Sequence, residues 1–168
     1  MEKPVYMVFD VESIGIHGEG FAVGYVVIDS DGRELEAARI ACSPHTARGN
    51  DEGRQWIAEN CPKIPADFTD PQGVRASFWG AWQRWKAQGA LLVADCAWPV
   101  EARFLIDCVD DAEGREWQGP YPLHDVATAR LCKGRDPLAT VDRLSNELPQ
   151  HDPLADARQS ARLWMEAR

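Results

Sequence analysis

Positive charge is what this sequence has least of. Its 18 Lys and Arg are outnumbered by 27 Asp and Glu, for a formal net charge of −9. The cations are scattered, and Lys133-Gly134-Arg135 is the nearest approach to a cluster. A protein that grips a long duplex by its phosphates carries a basic stripe, so that class is excluded. Any polyanionic ligand has to be held locally, by metal ions and a few side chains. Paired cysteines are missing too. Cys42, Cys61, Cys96, Cys108 and Cys132 are odd in number and widely spaced, with no Cys-x-x-Cys. This argues against a disulfide framework or thiolate zinc site and for reduced thiols in a cytoplasmic setting. No apolar run approaches the roughly 20 residues of a membrane helix, and no signal-peptide pattern opens the chain. Membrane partners are therefore not expected. With 168 residues and no repeat, the chain fits one domain, 1–168, around a single core.

Residues 4–10 form an apolar run that reads as a strand, and a loop through Gly15, Gly18 and Gly20 follows. Phe21 to Ile28 predicts a second strand, Asp29-Ser30-Asp31-Gly32 a hairpin turn, and Glu34 to Cys42 a third strand. Short turns between consecutive strands imply an antiparallel meander. Residues 51–60 predict a short helix, and 71–88 a stronger one with Asp70 as N-cap and Pro71 at its first position. Val74, Phe78, Trp82 and Trp85 recur on it at helical spacing, the mark of a buried face rather than a base-stacking platform. Ala90 to Ala94 is continuously apolar, as in a strand covered on both faces. Helices are expected over Pro99–Val109, 124–133 and 138–147, a strand or turn over 121–126, and a last helix opening at Asp152-Pro153. The order predicts an α/β fold, a mixed sheet flanked by helices.

Three acidic sites stand out. Asp10 and Glu12 close the first strand two residues apart, so their side chains share a face. Like charges that close repel. No Lys or Arg follows within several residues, and an oxygen-only site suits a hard ion such as Mg²⁺ or Mn²⁺. The spacing alone also fits a strand-end cap beside a solvated loop acid. The second site offers Asp95 at a strand's C-terminal end and Glu101 in the first turn of the next helix. The third is His151-Asp152-Pro153-Leu154-Ala155-Asp156. With Asp152 as N-cap, Asp156 lies one turn into the helix and His151 just outside it, so imidazole and carboxylate converge.

These motifs resemble, in their order along the chain, the histidine-bearing branch of the Asp-Glu-Asp-Asp superfamily of 3′–5′ exonucleases. The likeness is to its small stand-alone bacterial and phage members. Phe9-Asp10-Val11-Glu12 matches the first motif, and His151 with Asp156 matches the third. The second motif departs from the usual His-Asn-x-x-Phe-Asp-x-x-Phe-Leu. Aligning Arg103-Phe104-Leu105 puts Glu101 at the aspartate position, and Asp95 is its rival six residues upstream.

The resemblance implies a ribonuclease H-like fold and two-metal hydrolysis of single-stranded RNA or DNA from the 3′ end to nucleoside 5′-monophosphates. Asp10 would bridge two Mg²⁺ or Mn²⁺ ions. Glu12 and Asp156 would complete one site, and Glu101 or Asp95 would serve the other. His151 would take the proton from the attacking water. Ser13, Ile14 and Gly15 would lie against the terminal nucleotide, and a homodimer, common among relatives, stays open. The alternatives are a nuclease of the same fold for very short oligonucleotides, which the low basicity favours, and a non-catalytic member that binds nucleic acid or protein.

Overall fold

The apolar run that ends in Asp10 and Glu12 lies in the middle of the sheet. In the computed structural model, which describes residues 3–168, strand β1 (Tyr6–Ser13) runs antiparallel to β2 (Gly20–Ile28) and parallel to β4 (Leu91–Ala94). With β3 (Glu34–Ala41) and β5 (His124–Asp125), the order is β3-β2-β1-β4-β5. Side-chain alternation divides β1 between two cores. Met7, Phe9 and Val11 pack with Val23, Tyr25 and Phe78, beneath helix α2 (Pro71–Lys86) and α3 (Ala102–Asp110). Tyr6 and Val8 pack with Val26, Ile28 and Ala161, beneath α5 (Pro153–Ala167), which lies beside α4 (Val126–Cys132).

Helix α2 starts where its cap dictates. The Asp70 carboxylate accepts from the Gly73 N–H at 2.9 Å, and Pro71 fills the first turn. Val74, Phe78 and Trp82 are buried, and the Phe78 ring lies 5.2 Å from Phe9 and 5.3 Å from Phe104. The aromatic stripe is core. Each such side chain contributes roughly 1.5–3 kcal/mol on burial. Helix α1 (Asp51–Asn60) opens on Asn50, whose side chain accepts from Gly53 N–H.

Three expectations are corrected. Strand β1 runs on to Ser13 because β2 keeps pairing with it, Glu12 opposite Ala22, so Glu12 is a strand residue and not a loop acid. No regular helix starts at Pro99. A wide turn over Ala97–Glu101 precedes α3, and Trp98 is extended at φ −117° and ψ 136°, since the residue before a proline avoids helical backbone. The segment 138–147 forms no α-helix, and its one helical turn is Ser145–Glu147. Its polar groups are drawn away from a helix. The buried Glu147 carboxylate accepts from Arg162 at 2.7 Å and from Leu144 N–H at 2.9 Å, and Arg143 reaches Asp156.

One glycine decides how close α5 comes. Gly24 on β2 stands opposite Asp10, and the first turn of α5 lies directly over it. A Cβ there would fall 2.2 Å from the Pro153 carbonyl carbon. Gly24→Ala is therefore expected to cost about 1–3 kcal/mol or more, visible as a lowered thermal midpoint. An unchanged midpoint would show that the helix yields freely.

Candidate active site

Asp10 and Glu12 point from β1 toward α5, on the face that Tyr6 and Val8 share with that helix. The start of α5 is fixed over them by several polar contacts. Asp152 caps it, accepting from Leu154 N–H at 3.0 Å and Ala155 N–H at 3.2 Å, and Arg39 of β3 pairs with the same carboxylate. Asp156 falls one turn later, its N–H bonded to Asp152 O. His151 stands just before the cap with φ 62°, a left-handed conformation uncommon outside glycine. Its own N–H donates to Asp156 Oδ2 at 3.1 Å. The imidazole Nδ1 then lies 3.8 Å from Glu12 Oε1. One ligand atom from each of Glu12, His151 and Asp156 lies within 4.8 Å of the others. Two segments far apart in sequence, β1 and the start of α5, meet at one point.

Two further acids approach from the β4–α3 connection. Glu101, 6% exposed, closes the wide turn before α3, and Asp95 stands just beyond the end of β4. Asp10 is held well above the usual carboxylate range, first by burial and then by Glu101, Asp156, Glu12 and Asp95 in falling order. Glu101 is pushed up to about 8, mostly by burial and then by the charges of Asp95 and Asp125, with its own N–H and that of Val11 pulling the other way. Asp95 is raised by burial too, with the Ser160 hydroxyl opposing it and Asp125, Asp156 and Arg130 as its charged neighbours. Of the two, Glu101 acts on Asp10 more strongly than Asp95 does.

The charge left in this cluster identifies what it suits. Burial raises Glu12 to about 8, with Asp156 the next cause and the Cys61 thiol, 3.6 Å from Oε2, opposing it. Asp156 is raised despite Arg143, whose guanidinium holds Oδ1. Among the described residues no other guanidinium or ammonium makes an ion pair with Asp10, Glu12, Glu101, Asp95 or Asp156. An excess of buried carboxylate oxygen with one imidazole is a donor set for a hard divalent cation, and the residues fit such an ion.

A cleft of about 550 Å³ opens beside Glu12, walled by Ser13, Ile14, Gly15, Trp56 and Val100. The three residues expected at a terminal nucleotide thus line the space next to the acids. Ser13 Oγ donates to Gly15 O at 2.7 Å, and Gly15 takes φ 67°. Helix α1 presses on this loop at Gly53, where a Cβ would fall 2.7 Å from Gly15 N.

Several groups at this site escape a reading of the sequence. The Trp56 ring stands edge-on to His151 at 4.9 Å and fixes its orientation. Arg143 escapes because its segment reads as helical. Glu19 anchors the loop, accepting from Arg48 N–H at 2.9 Å and from Arg75 Nη1 at 2.7 Å, while Arg75 also grips Asp111 with two bonds. The signal for Arg75 was present: a guanidinium adjoining the apolar stripe of α2 needs buried acids somewhere.

The sequence matches no family model and no curated protein. Solved structures do match. A zinc-bound complex of E. coli exonuclease I with single-stranded DNA superposes with TM-score 0.59 and 14% identity, over 96% of this chain and 39% of that one. A moderately thermophilic exonuclease I from Methylocaldum szegediense gives TM-score 0.59 and 15% identity, over 95% and 39%. The fold is ribonuclease H-like. The expected α/β architecture, a mixed sheet flanked by helices, is thus the one observed. The chain spans 39% of the length of these exonuclease I chains. Among the described residues no helix is long and apolar enough to cross a membrane.

Proposed function

We propose that this chain is a divalent-metal-dependent 3′–5′ exonuclease of the histidine-bearing Asp-Glu-Asp-Asp superfamily, acting on single-stranded nucleic acid. The observation that carries the reading is the approach of Glu12, His151 and Asp156 to within 4.8 Å of one another, with Glu101 acting on Asp10 nearby, beside a cleft that Glu12 lines. A fold shared with exonuclease I, whose solved complexes include single-stranded DNA, supports it. Residues 1–168 form the catalytic domain, and the five unpaired cysteines suit the cytoplasm.

Asp10, Glu12 and Asp156 would hold one Mg²⁺ or Mn²⁺, and Asp10 with Glu101 a second. When bound, such ions supply Lewis-acid stabilisation of the phosphoryl group and acidify water. The chain's own groups do the rest. Ser13, Ile14 and Gly15 orient the terminal nucleotide in the cleft. His151 accepts the proton of the water whose oxygen attacks phosphorus, the P–O3′ bond breaks, and a nucleoside 5′-monophosphate leaves. Trp56 keeps the imidazole aimed, and the His151 N–H keeps Asp156 in place.

The test is release of mononucleotides from a 3′-labelled single strand with Mn²⁺ or Mg²⁺, absent in EDTA. His151→Ala is expected to slow it by roughly 10²–10⁴-fold. Glu101→Gln is expected to lower kcat on the order of a hundredfold or more, and Asp95→Asn by less than about tenfold, since Glu101 is the foremost and Asp95 the last of the charges acting on Asp10. The reverse ranking would make Asp95 the ligand. No release from any strand would leave a non-catalytic binding protein.

A further inference from the structure

The acid cluster carries a cation of its own. Among the described residues, Arg143 is the one guanidinium or ammonium ion-paired with Asp10, Glu12, Asp95, Glu101 or Asp156. The pair is enclosed, with side chains 17% and 14% exposed, so it is not a solvated surface contact. It is also mounted by the helix it grips. From α5, Gln159 Nε2 donates to Val141 O at 3.2 Å and Arg162 Nη2 to Asp142 O at 2.9 Å, just ahead of Arg143. Arg162 also holds the buried Glu147 carboxylate, which accepts from Leu144 N–H at 2.9 Å, just behind it. Arg143 Nη1 then donates both to Glu147 O at 2.8 Å and to Asp156 Oδ1. The other oxygen of Asp156 accepts the His151 N–H at 3.1 Å, the bond that accompanies the left-handed φ of 62° at His151. Both oxygens of Asp156 are thus engaged by the chain itself, Oδ1 by a cation and Oδ2 by the backbone of the histidine.

We propose that Arg143 is a positioning residue: by occupying Oδ1 of Asp156 it weakens the cluster's hold on a divalent ion and keeps Oδ2 on the His151 N–H. The first half of this needs only the acids, and the second, which concerns turnover, rests on the exonuclease reading. The first half is electrostatic. A positive charge beside a ligand carboxylate repels an approaching cation, and in a half-buried place that repulsion is poorly screened. The second half is geometric. Without Arg143, both oxygens of Asp156 become available to an ion, and the His151 N–H loses the acceptor that holds its backbone in an uncommon region. The imidazole, 3.8 Å from Glu12 Oε1, then loses its aim. Removing the arginine should therefore tighten ion binding and slow turnover. A residue that served only to keep the segment folded would weaken both when removed.

The test separates the charge from the hydrogen bond. Arg143→Gln keeps a donor and loses the charge. Arg143→Lys keeps the charge, and because a single nitrogen, Nη1, serves both acceptors, an ammonium can take its place. Calorimetric titration of Mn²⁺ into the metal-free protein is expected to give a Kd about tenfold lower in Arg143→Gln, and within about threefold of the wild type in Arg143→Lys. In saturating Mn²⁺, kcat on a 3′-labelled single strand is expected to fall roughly 10- to 100-fold in Arg143→Gln with KM nearly unchanged, and to recover most of the way in Arg143→Lys. A further readout needs no catalysis: in Mg²⁺ the His151 backbone amide resonance should move in Arg143→Gln and stay near its wild-type position in Arg143→Lys. Weaker or unchanged Mn²⁺ binding in Arg143→Gln overturns the proposal, whatever happens to turnover. Tighter binding with an unmoved amide and undiminished kcat overturns the positioning of His151. A loss of affinity or turnover in Arg143→Lys as large as the changes in Arg143→Gln overturns the proposal as well. If binding and amide shifts rank as expected but the wild type hydrolyses no strand, the nuclease reading fails and the role of Arg143 at Asp156 stands.

Discussion

Asp10→Asn is expected to abolish metal-dependent nucleotide release, by at least about three orders of magnitude, while raising the thermal midpoint of the protein in EDTA. The two effects come from the same neighbours. Asp10 stands half-buried on the central strand with Glu101, Asp156, Glu12 and Asp95 all acting to keep it uncharged. An ionised carboxylate in that company calls for a cation among the oxygens, so removing the charge would remove both a ligand for the ion and the repulsion. Asparagine keeps the shape and needs no cation, so the gain in stability should grow as pH rises and the wild-type acid is forced to ionise. Activity assays in Mn²⁺ and calorimetry in EDTA read the two halves. Retained turnover would falsify the exonuclease reading. A lowered midpoint would instead show that Asp10 is a structural partner and not a crowded acid.

How much of this was legible in the sequence follows from how local each signal is. The meander of β1, β2 and β3, the limits of α1 and the caps of α2 and α5 come from neighbours in sequence: Asp70 on Gly73, Asn50 on Gly53, Asp152 on Ala155. The convergence of His151 with Asp156 is likewise a one-turn relation, and it is where the structure places them. What was not legible depends on contacts distant in sequence. Sequence order cannot show that β4 inserts beside β1, and it is this parallel pairing that brings the β4–α3 connection to Asp10. Glu101 and Asp95 differ by six residues, and it takes the wide turn over Ala97–Glu101 to make Glu101 the stronger neighbour of Asp10. Residues 138–147 have a helical pattern that loses to ion pairs, because Arg162 and Asp156 draw Glu147 and Arg143 outward. His151 at positive φ has no sequence signature at all; it follows from an N–H that must reach Asp156.

The second large effect is an inverted dependence of stability on pH. Glu12 and Glu101 are raised from an ordinary 4.5 to about 8 in the folded chain, chiefly by burial. Between those values the native protein binds protons that the unfolded chain has released. Stability in EDTA must therefore fall as pH rises through this window, from a full contribution below about 4.5 to its loss above about 8. Glu19 and Glu147, lowered by their arginines, act with the opposite sign, but their contribution is lost only on acidification below the ordinary carboxylate range. The midpoint in EDTA is thus expected to drop steadily from pH 5 to 9, by an amount on the order of a few kcal/mol. Mn²⁺ or Mg²⁺ should reverse this. The ion binds deprotonated ligands in the folded state alone, so its stabilisation is small at pH 6 and large at pH 8.5. Glu12→Gln/Glu101→Gln should flatten the slope in EDTA and remove most of the ion's effect, because the same carboxylates give both. A midpoint in EDTA that holds level or climbs from pH 5 to 9 would mean that the acids are neutralised within the fold. The cluster would then have no need of an ion.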